Sequence, residues 1–182
     1  MRKLIFLLLI PSASLAQKEK SGILPYENEK ITFSRVVILD SNYSKHQLYS
    51  NALAWAKKIS SEFNGSITRE QFRLRDNIFM QDKDSGTVSF EHRFVFQQLM
   101  ATSLYSYEIE VKVKDGLYQY TITDFKTLAI GVAGMVEPTS VNTPLEPADL
   151  QRQKNRMRAI NGNIVNLVSE LEKSMRKLSK SF

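Results

Sequence analysis

The side chains of this sequence that are best suited to proton transfer near neutral pH are its two histidines, His46 and His92. His46 falls in the first turn of a predicted helix, where the helix dipole does not favour a positive charge, so we predict a solvated surface residue. His92 is in phase with apolar residues at positions 88, 90, 94 and 96, which favours a hydrogen-bonded histidine in the core. The alternative is a metal-binding or acid–base histidine in a pocket, with Glu91 or Asp124 beside it.

Two other segments partly match known binding motifs, but each lacks residues that its motif requires. DKDSG (82–86) has the aspartate spacing that begins a calcium loop, but the twelfth position is Arg93, where that loop needs a bidentate glutamate. We predict a polar hairpin turn there. GVAGMV (131–136) has two glycines without the lysine and serine of a phosphate loop, and the chain has no serine-nucleophile or zinc-protease motif. We therefore predict a protein that is not an enzyme and has no metal and no cofactor.

The N-terminal sequence has the layout of a secretory signal peptide. MRKLIFLLLIPSASLA (1–16) combines a basic start, an apolar run and a small-residue end, so we predict cleavage before Gln17 and an exported protein that is periplasmic, envelope-associated or secreted. The alternatives are a buried strand or a membrane anchor, but the run is shorter than the roughly 18 residues of a span. The chain has no cysteine, which excludes disulfides, thiolate metal sites and lipid attachment to an N-terminal cysteine.

Ahead of the first helix the sequence predicts an exposed polar leader over 17–30 and a mostly buried strand in ITFSRVVILD (31–40). The helix is predicted over 44–61, because its start signals are complete and its apolar residues recur at spacings of three and four. Trp55 is therefore expected to face a sheet. The residues with these structural roles are the cap and capping box Ser44 and Gln47, the staple Tyr43 and Leu48, and the stripe Leu48, Ala52, Trp55 and Ile59.

The middle of the chain predicts a meander of four strands, after a charged segment at 63–77 that is ambiguous between helix and loop. IFMQ (78–81) and the alternating stretch 88–96 come first, and a hairpin follows around Asp115-Gly116, the favoured sequence of a type I′ turn. This turn pairs Val113 with Tyr118, which places apolar residues of both strands on one face and polar residues on the other. The polar face would hold Glu108, Glu110, Lys112, Gln119, Thr121 and Thr123.

The C-terminal sequence indicates a connector over 127–146 and a basic helix over 147–180, in which Gly162 is expected to weaken or bend the helix. Eight basic residues and three acidic ones follow Pro147. One interpretation is an amphipathic helix that packs on the sheet with a solvated basic side; the other is a helix that docks on a partner or an anionic envelope surface. The candidate interaction residues are Arg152, Arg156, Lys173, Arg176 and Lys177.

The order of these elements is β-α-β4-α. With that order, ITFSRVVILDSNYSKHQLYSNALAWAKK, DKDSGTV and EIEVKVKDGLYQYTITDF resemble a bacterial family of secreted proteins of unknown function with a TATA-binding-protein-like (TBP-like) fold. The resemblance covers residues 31–126. It implies an α+β domain with a single antiparallel sheet, two helices on one face of it, and an origin in gut-type Gram-negative bacteria. It supplies no catalytic residues.

We therefore predict an exported, non-enzymatic binding or interaction module of the cell envelope, with an unidentified ligand. Its partner would be a protein or an anionic envelope component, and association with a membrane surface is a further possibility. Nucleic acid is not expected, because the predicted open sheet face lacks a basic stripe. The alternative is an accessory domain or weak hydrolase with a pocket around His92, which differs from an interaction module in having a concave site at that histidine.

Overall fold

The computed structural model describes residues 24–27, 30–61, 79–98, 101–129, 139–141 and 150–177. They form an α+β domain, as predicted, with five long strands, three two-residue strands and two helices. The elements in chain order are β1 (Tyr26–Glu27), β2 (Lys30–Ile31), β3 (Phe33–Ile38), α1 (Lys45–Ser61), β4 (Phe79–Asp82), β5 (Thr87–Gln98), β6 (Ala101–Lys114), β7 (Leu117–Ala129), β8 (Thr139–Ser140) and α2 (Leu150–Met175).

One antiparallel sheet organises the domain, with the strand order β3-β7-β6-β5-β4 and with β8 added beside β7. The predicted register of the β6–β7 hairpin is confirmed, since Val113 pairs with Tyr118 and Glu108 with Thr123. Neighbouring residues of a strand point to opposite sides of a sheet. The register therefore divides the sheet into an apolar face and a polar face, and both described helices lie on the apolar face.

The two helices lie antiparallel on the apolar face. Gln47, near the start of α1, contacts the end of α2 at Lys177, and Lys58, near the end of α1, pairs with Glu170. Trp55 is 2% exposed and its ring meets Phe90 of β5 nearly edge-on, with centroids 5.7 Å apart. The helix residues in this core are Leu48, Tyr49, Ala52, Trp55, Ala56 and Ile59 of α1 and Met157, Ile160, Ile164, Leu167, Leu171 and Met175 of α2.

The predicted start of α1 is confirmed in part. The Gln47 N–H donates to Ser44 Oγ over 3.2 Å, which is the predicted cap. The Gln47 side chain does not close a capping box; its amide donates instead to the Lys177 carbonyl over 3.0 Å. That interaction satisfies a carbonyl at the end of α2, which has no partner inside its own helix.

The turn at Asp115-Gly116 differs from the predicted type I′ turn. That type needs a positive φ at both central residues, but only Gly116 has one, at 70°. The start of α1 accounts for the difference. Asp115 accepts the Lys45 N–H at Oδ1 over 2.6 Å, and the Gly116 N–H donates to the Tyr43 carbonyl over 2.8 Å.

Two predicted irregular segments contribute to the fold. The leader predicted over 17–30 is not wholly exposed, because Leu24 is fully buried and β1 pairs with β2. The connector predicted over 127–146 is shorter, because β7 continues to Ala129 and β8 pairs with it, followed by a buried Val141. The predicted signal peptide 1–16, the whole of 63–77 and GVAGMV lie outside the described residues. The described helices contain no apolar stretch long enough to cross a bilayer.

We expect the replacement Trp55→Ala to lower the free energy of unfolding by about 3–5 kcal/mol, as for other large buried side chains reduced to a methyl group. The measurement is urea denaturation monitored by circular dichroism, since the variant has no tryptophan whose fluorescence could report unfolding. Lys57→Ala is the control, because Lys57 is exposed on the same helix. If Trp55→Ala left stability unchanged, Trp55 would have another role.

Candidate binding surface

The polar face of the sheet is open along its whole length in the part of the chain that the structure describes. α1 and α2 cover only the opposite face, where the buried side chains of β5, β6 and β7 lie. This open face has a polar centre and, on the edge strand β3, two exposed apolar side chains, Val36 and Ile38, which are 54% and 80% exposed. Its central residues are Ser89, Glu91 and Arg93 of β5, Glu108, Glu110 and Lys112 of β6, and Gln119, Thr121 and Thr123 of β7.

The open face is concave. A depression of 440 Å³ lies over the middle of the sheet, and acidic and hydroxyl side chains line it together with Met80, whose side chain is exposed. A second depression of 360 Å³ shares Met80, Ser89 and Glu110 with the first and continues toward the β4–β5 turn. The two depressions form a shallow groove that runs across the face from β7 to the β4–β5 turn. It is wide enough to take a side chain or a short segment of a partner.

Charges on the open face are arranged in local pairs. Glu110 and Lys112 of β6 are 2.7 Å apart, and Arg93 donates to Glu91 over 2.7 Å. Glu108 stands directly opposite Glu91 on the neighbouring strand, so two carboxylates share the floor of the larger depression. Like charges in this position repel each other, and a cationic or hydrogen-donating group of a ligand would relieve the repulsion.

A β-bulge lies at one end of this acidic pair. Between Glu108 and Ser106 of β6, β7 contains one extra residue, and Asp124 takes a left-handed conformation with φ 57°. The Asp124 carboxylate contacts Lys126 Nζ at 2.7 Å. This hydrogen bond, with help from the charges of Glu108 and Glu91, raises the pKa of Lys126. The bulge therefore places a fixed positive charge beside the two carboxylates.

The bulge was absent from the sequence-based predictions, although its signal is visible in the sequence. Apolar residues of β7 alternate as Tyr118, Tyr120 and Ile122, and the next one is Phe125. That interval of three breaks the period of two that a regular strand requires. Phe125 is buried, so the extra residue keeps both parts of β7 facing the core.

The DKDSG segment is a hairpin turn, as predicted. Asp82 Oδ1 accepts the N–H groups of Asp84 and Ser85, each over 3.0 Å. The bond from Ser85 is the main reason that the pKa of Asp82 is lowered. Among the described residues no group of three or more histidine or acidic side chains is placed to hold a metal. The Asp82 carboxylate thus stabilises the turn.

The structure separates His92 from its predicted acidic neighbours. His92 lies on the helix-covered face, where its ring meets the Tyr107 ring nearly edge-on at 5.4 Å, while Glu91 points to the open face and pairs with Arg93. His92 Nδ1 is buried without a hydrogen-bond partner among the described residues, so the predicted hydrogen bond is missing at that atom. Neither depression of the open face is lined by His92. His46 is exposed, as predicted.

The candidate interaction residues of the C-terminal helix lie on the other side of the molecule from the open face. α2 packs its apolar stripe on the sheet, and Tyr107 Oη donates to Asn163 Oδ1 over 2.6 Å. Lys173, Arg176 and Lys177 are exposed, and Arg156 is half-buried; the Arg152 side chain is outside the described set. α2 is unbroken at Gly162. The apolar side of this helix is therefore not free for a partner.

An antiparallel sheet with one face covered by two helices and the other open and concave defines a class of α+β domain that presents a sheet surface to its surroundings. The chain belongs to the family described as "Domain of unknown function (DUF4468) with TBP-like fold", whose model matches residues 33–127. The match agrees with the resemblance over 31–126 found in the sequence. The comparison with curated proteins gives no match.

Two solved structures from gut Bacteroidales are similar to this chain. A TBP-like protein from Parabacteroides distasonis superposes with a TM-score of 0.67 at 16% identity, over 86% of this chain and 99% of that one. A DUF4468 family protein from Bacteroides ovatus has a TM-score of 0.62 at 15% identity, over 89% of this chain and 95% of that one. These likenesses confirm the TBP-like fold.

We expect the stability of the domain to decrease in mild acid because of His92. Burial lowers the pKa of His92 to about 4, whereas an unfolded histidine titrates near 6.5. The unfolded chain therefore binds a proton that the folded chain does not, so the stability is complete above pH ~6.5 and falls by up to about 1.4 kcal/mol per pH unit toward pH ~4. Urea denaturation between pH 7.5 and 4.5, followed by Trp55 fluorescence, measures this decrease.

The variant His92→Phe should remove most of that pH dependence, because its ring suits the apolar surroundings and does not titrate. His46→Gln is the control and should keep the pH dependence, since His46 is exposed. An unchanged slope in His92→Phe would show that carboxyl groups cause the loss of stability.

Proposed function

We propose that this protein is an exported, non-enzymatic binding module of the cell envelope that recognises a protein partner with its open sheet face. The observation that supports this proposal most directly is the concave groove over Glu91, Glu108 and Glu110, on the face that neither helix covers. A folded sheet that leaves one face in water and shapes it into a groove has a preformed surface for a partner, so that binding requires little reorganisation.

The composition of the open face supports a protein rather than a nucleic acid as the partner. The groove is lined by carboxylates, which would repel a phosphate backbone. Beside the polar centre, Val36 and Ile38 expose apolar side chains on an edge strand, and an apolar margin next to polar groups is a common feature of protein interfaces. Val36 and Ile38 lie on β3, which pairs with β7 beside the groove residues Thr121 and Thr123, so one partner can contact the groove and the apolar margin together.

The alternative, an accessory domain or weak hydrolase built on His92, has less support. Catalysis by His92 would need an open path to solvent and an acidic or nucleophilic neighbour. Its ring instead packs against Tyr107 on the helix-covered face, and Glu91 and Asp124 pair with Arg93 and Lys126. The geometry therefore favours a structural role for His92 and a binding role for the opposite face.

The export part of the proposal predicts a processed N-terminus. In the native bacterium we expect the protein in the envelope or periplasmic fraction, beginning at Gln17, because MRKLIFLLLIPSASLA has the layout of a signal peptide. Fractionation followed by N-terminal sequencing measures both. A chain that kept Met1 and remained with the cytoplasmic markers would contradict the proposed compartment.

The proposed recognition by the open face predicts that bulky, charged side chains placed in the groove weaken binding of the partner. Ser89 and Thr121 line the larger depression, so the double variant Ser89→Arg, Thr121→Arg should fill it and reduce capture of envelope proteins by the immobilised domain about tenfold or more, as for a blocked interface centre. Quantitative mass spectrometry of the captured proteins gives the measurement.

The matched control adds the same two charges to exposed positions of α1, as Ser50→Arg and Ser61→Arg. Both variants should keep the parent melting temperature. Loss of the same partners in both variants, or in neither, would show that the open face is not the recognition surface.

A further inference from the structure

The outer surface of the two helices carries the opposite charge to the sheet groove. Besides Lys58, which pairs with Glu170, six basic side chains are exposed on this surface, which we call the helix-layer surface: Lys57 of α1, Lys154, Arg158 and Lys173 of α2, and Arg176 and Lys177 directly after it. The positions 154, 158, 173 and 176 fall on one side of α2, opposite the buried stripe. The basic residues therefore project away from the sheet.

Acidic side chains offset this charge only in part. α1 contains no acidic residue, and the two in α2 are both engaged at the margins of the helix layer. Glu170 Oε2 contacts Lys58 Nζ at 3.3 Å, and Glu172 Oε1 contacts Arg35 at 3.4 Å. Glu170 and Glu172 also lie one turn before Lys173 and Arg176, whereas no acidic residue of α2 lies within one turn of Lys154 or Arg158.

The basic residues of α2 are arranged in two groups. Lys154 and Arg158 lie near its start and Lys173 near its end, about 22 Å beyond Arg158 at 1.5 Å per residue. Between the groups the outward positions are uncharged, and Val165 is 58% exposed. Because α2 lies flat on the sheet, both groups and Val165 can meet one extended flat surface at the same time.

We propose that the helix-layer surface docks this domain on the surface of an anionic phospholipid bilayer, with the open sheet face directed away from it. Two charged groups far apart on a rigid helix suit a surface whose negative charge is continuous, and lysine and arginine are attracted to such a surface as far as screening by salt allows. The exposed Val165 between them enters the headgroup region. The domain is then held at the membrane by contacts of this surface alone.

This inference goes beyond the recognition function of the open face and is tested separately from it. The probe is a set of vesicles of phosphatidylglycerol and phosphatidylcholine in equal parts, compared with vesicles of phosphatidylcholine alone. We expect the mature protein to co-sediment with the anionic vesicles at low salt, to be released progressively as salt is raised, and to ignore the neutral vesicles. Addition of millimolar inorganic phosphate should not release the protein, because a single phosphate ion cannot contact both basic groups at once.

The deciding comparison uses two triple variants with the same loss of charge. Lys154→Gln, Arg158→Gln, Lys173→Gln should weaken vesicle binding by roughly a hundredfold, since each basic residue near an anionic surface contributes about a fivefold factor. Lys83→Gln, Lys112→Gln, Lys114→Gln removes three exposed charges from the sheet side and should bind as the parent does. Equal weakening in both would show that net charge alone is responsible and would overturn the proposal.

A direct reading of the contact comes from Val165→Trp. The side chain of the native Trp55 is buried between α1 and the sheet, so its emission should not respond to vesicles. The added tryptophan at position 165 should shift to shorter wavelengths on anionic vesicles and not on neutral ones. No shift, or no co-sedimentation of the parent protein with anionic vesicles, would overturn membrane docking and would leave the proposed function of the open face standing.

Discussion

The contact between the β6–β7 turn and the start of α1 is the constraint on which the rest of the structure depends. Asp115 Oδ1 accepts the Lys45 N–H over 2.6 Å, the Gly116 N–H donates to the Tyr43 carbonyl, and the Gly116 carbonyl accepts the Leu39 N–H. One two-residue turn thereby sets the register of the central hairpin, ends β3 and caps α1. Through the register, this turn decides which side chains of β6 and β7 form the apolar face. Because the same turn bonds to the start of α1, the helix begins beside that face.

The neighbouring β4–β5 turn reinforces this junction. Lys45 Nζ donates to the Asp84 carbonyl over 2.6 Å, and the Val113 N–H donates to the Gly86 carbonyl over 2.9 Å. Gly86 has φ 75°, and a Cβ there would lie 2.7 Å from both Lys45 Cε and the Val113 carbonyl oxygen. The position therefore requires glycine for its conformation and for the space.

The far end of α2 is held by the same helix start. Tyr43 Oη donates to the Arg176 carbonyl over 3.0 Å, and the Asn51 amide lies 3.2 Å from the Met175 carbonyl and 2.9 Å from that of Lys177. Side chains in α1 and directly before it thus satisfy carbonyls that a helix end leaves without partners. The direction and position of α2 follow, and its apolar stripe is used entirely in the core. Its basic side has to face solvent or a partner.

Sequence reasoning succeeded where a period and a turn agreed and missed structure where neither was present. The β6–β7 register was predictable because apolar alternation in both strands and Asp115-Gly116 require the same pairing. The strands β1, β2 and β8 have two residues each, too few for any period. Leu24 and Val141 are buried beside them, but a single apolar residue in a polar segment does not indicate its partner in the fold.

The candidate surfaces were predictable to a similar degree. The polar residues of the open face followed from the register alone, whereas its concavity depends on how the twisted sheet curves and on the bulge at Asp124, which sequence reasoning did not identify. The basic C-terminal helix was recognised from composition. That both of its glutamates pair with Lys58 and Arg35 could not be read from composition, because it depends on the antiparallel arrangement of the helices.

The two proposed surfaces follow from one cause. An antiparallel sheet that buries only one face must leave the other in water, and the helices that cover it must in turn have a solvent side. Here the acidic groove and the basic helix layer lie on opposite sides, so attraction of one side to an anionic membrane would turn the other side away from it. Under that arrangement the helix layer decides the orientation of the domain, and the groove over Glu91 and Glu108 is left accessible to a partner in the surrounding compartment.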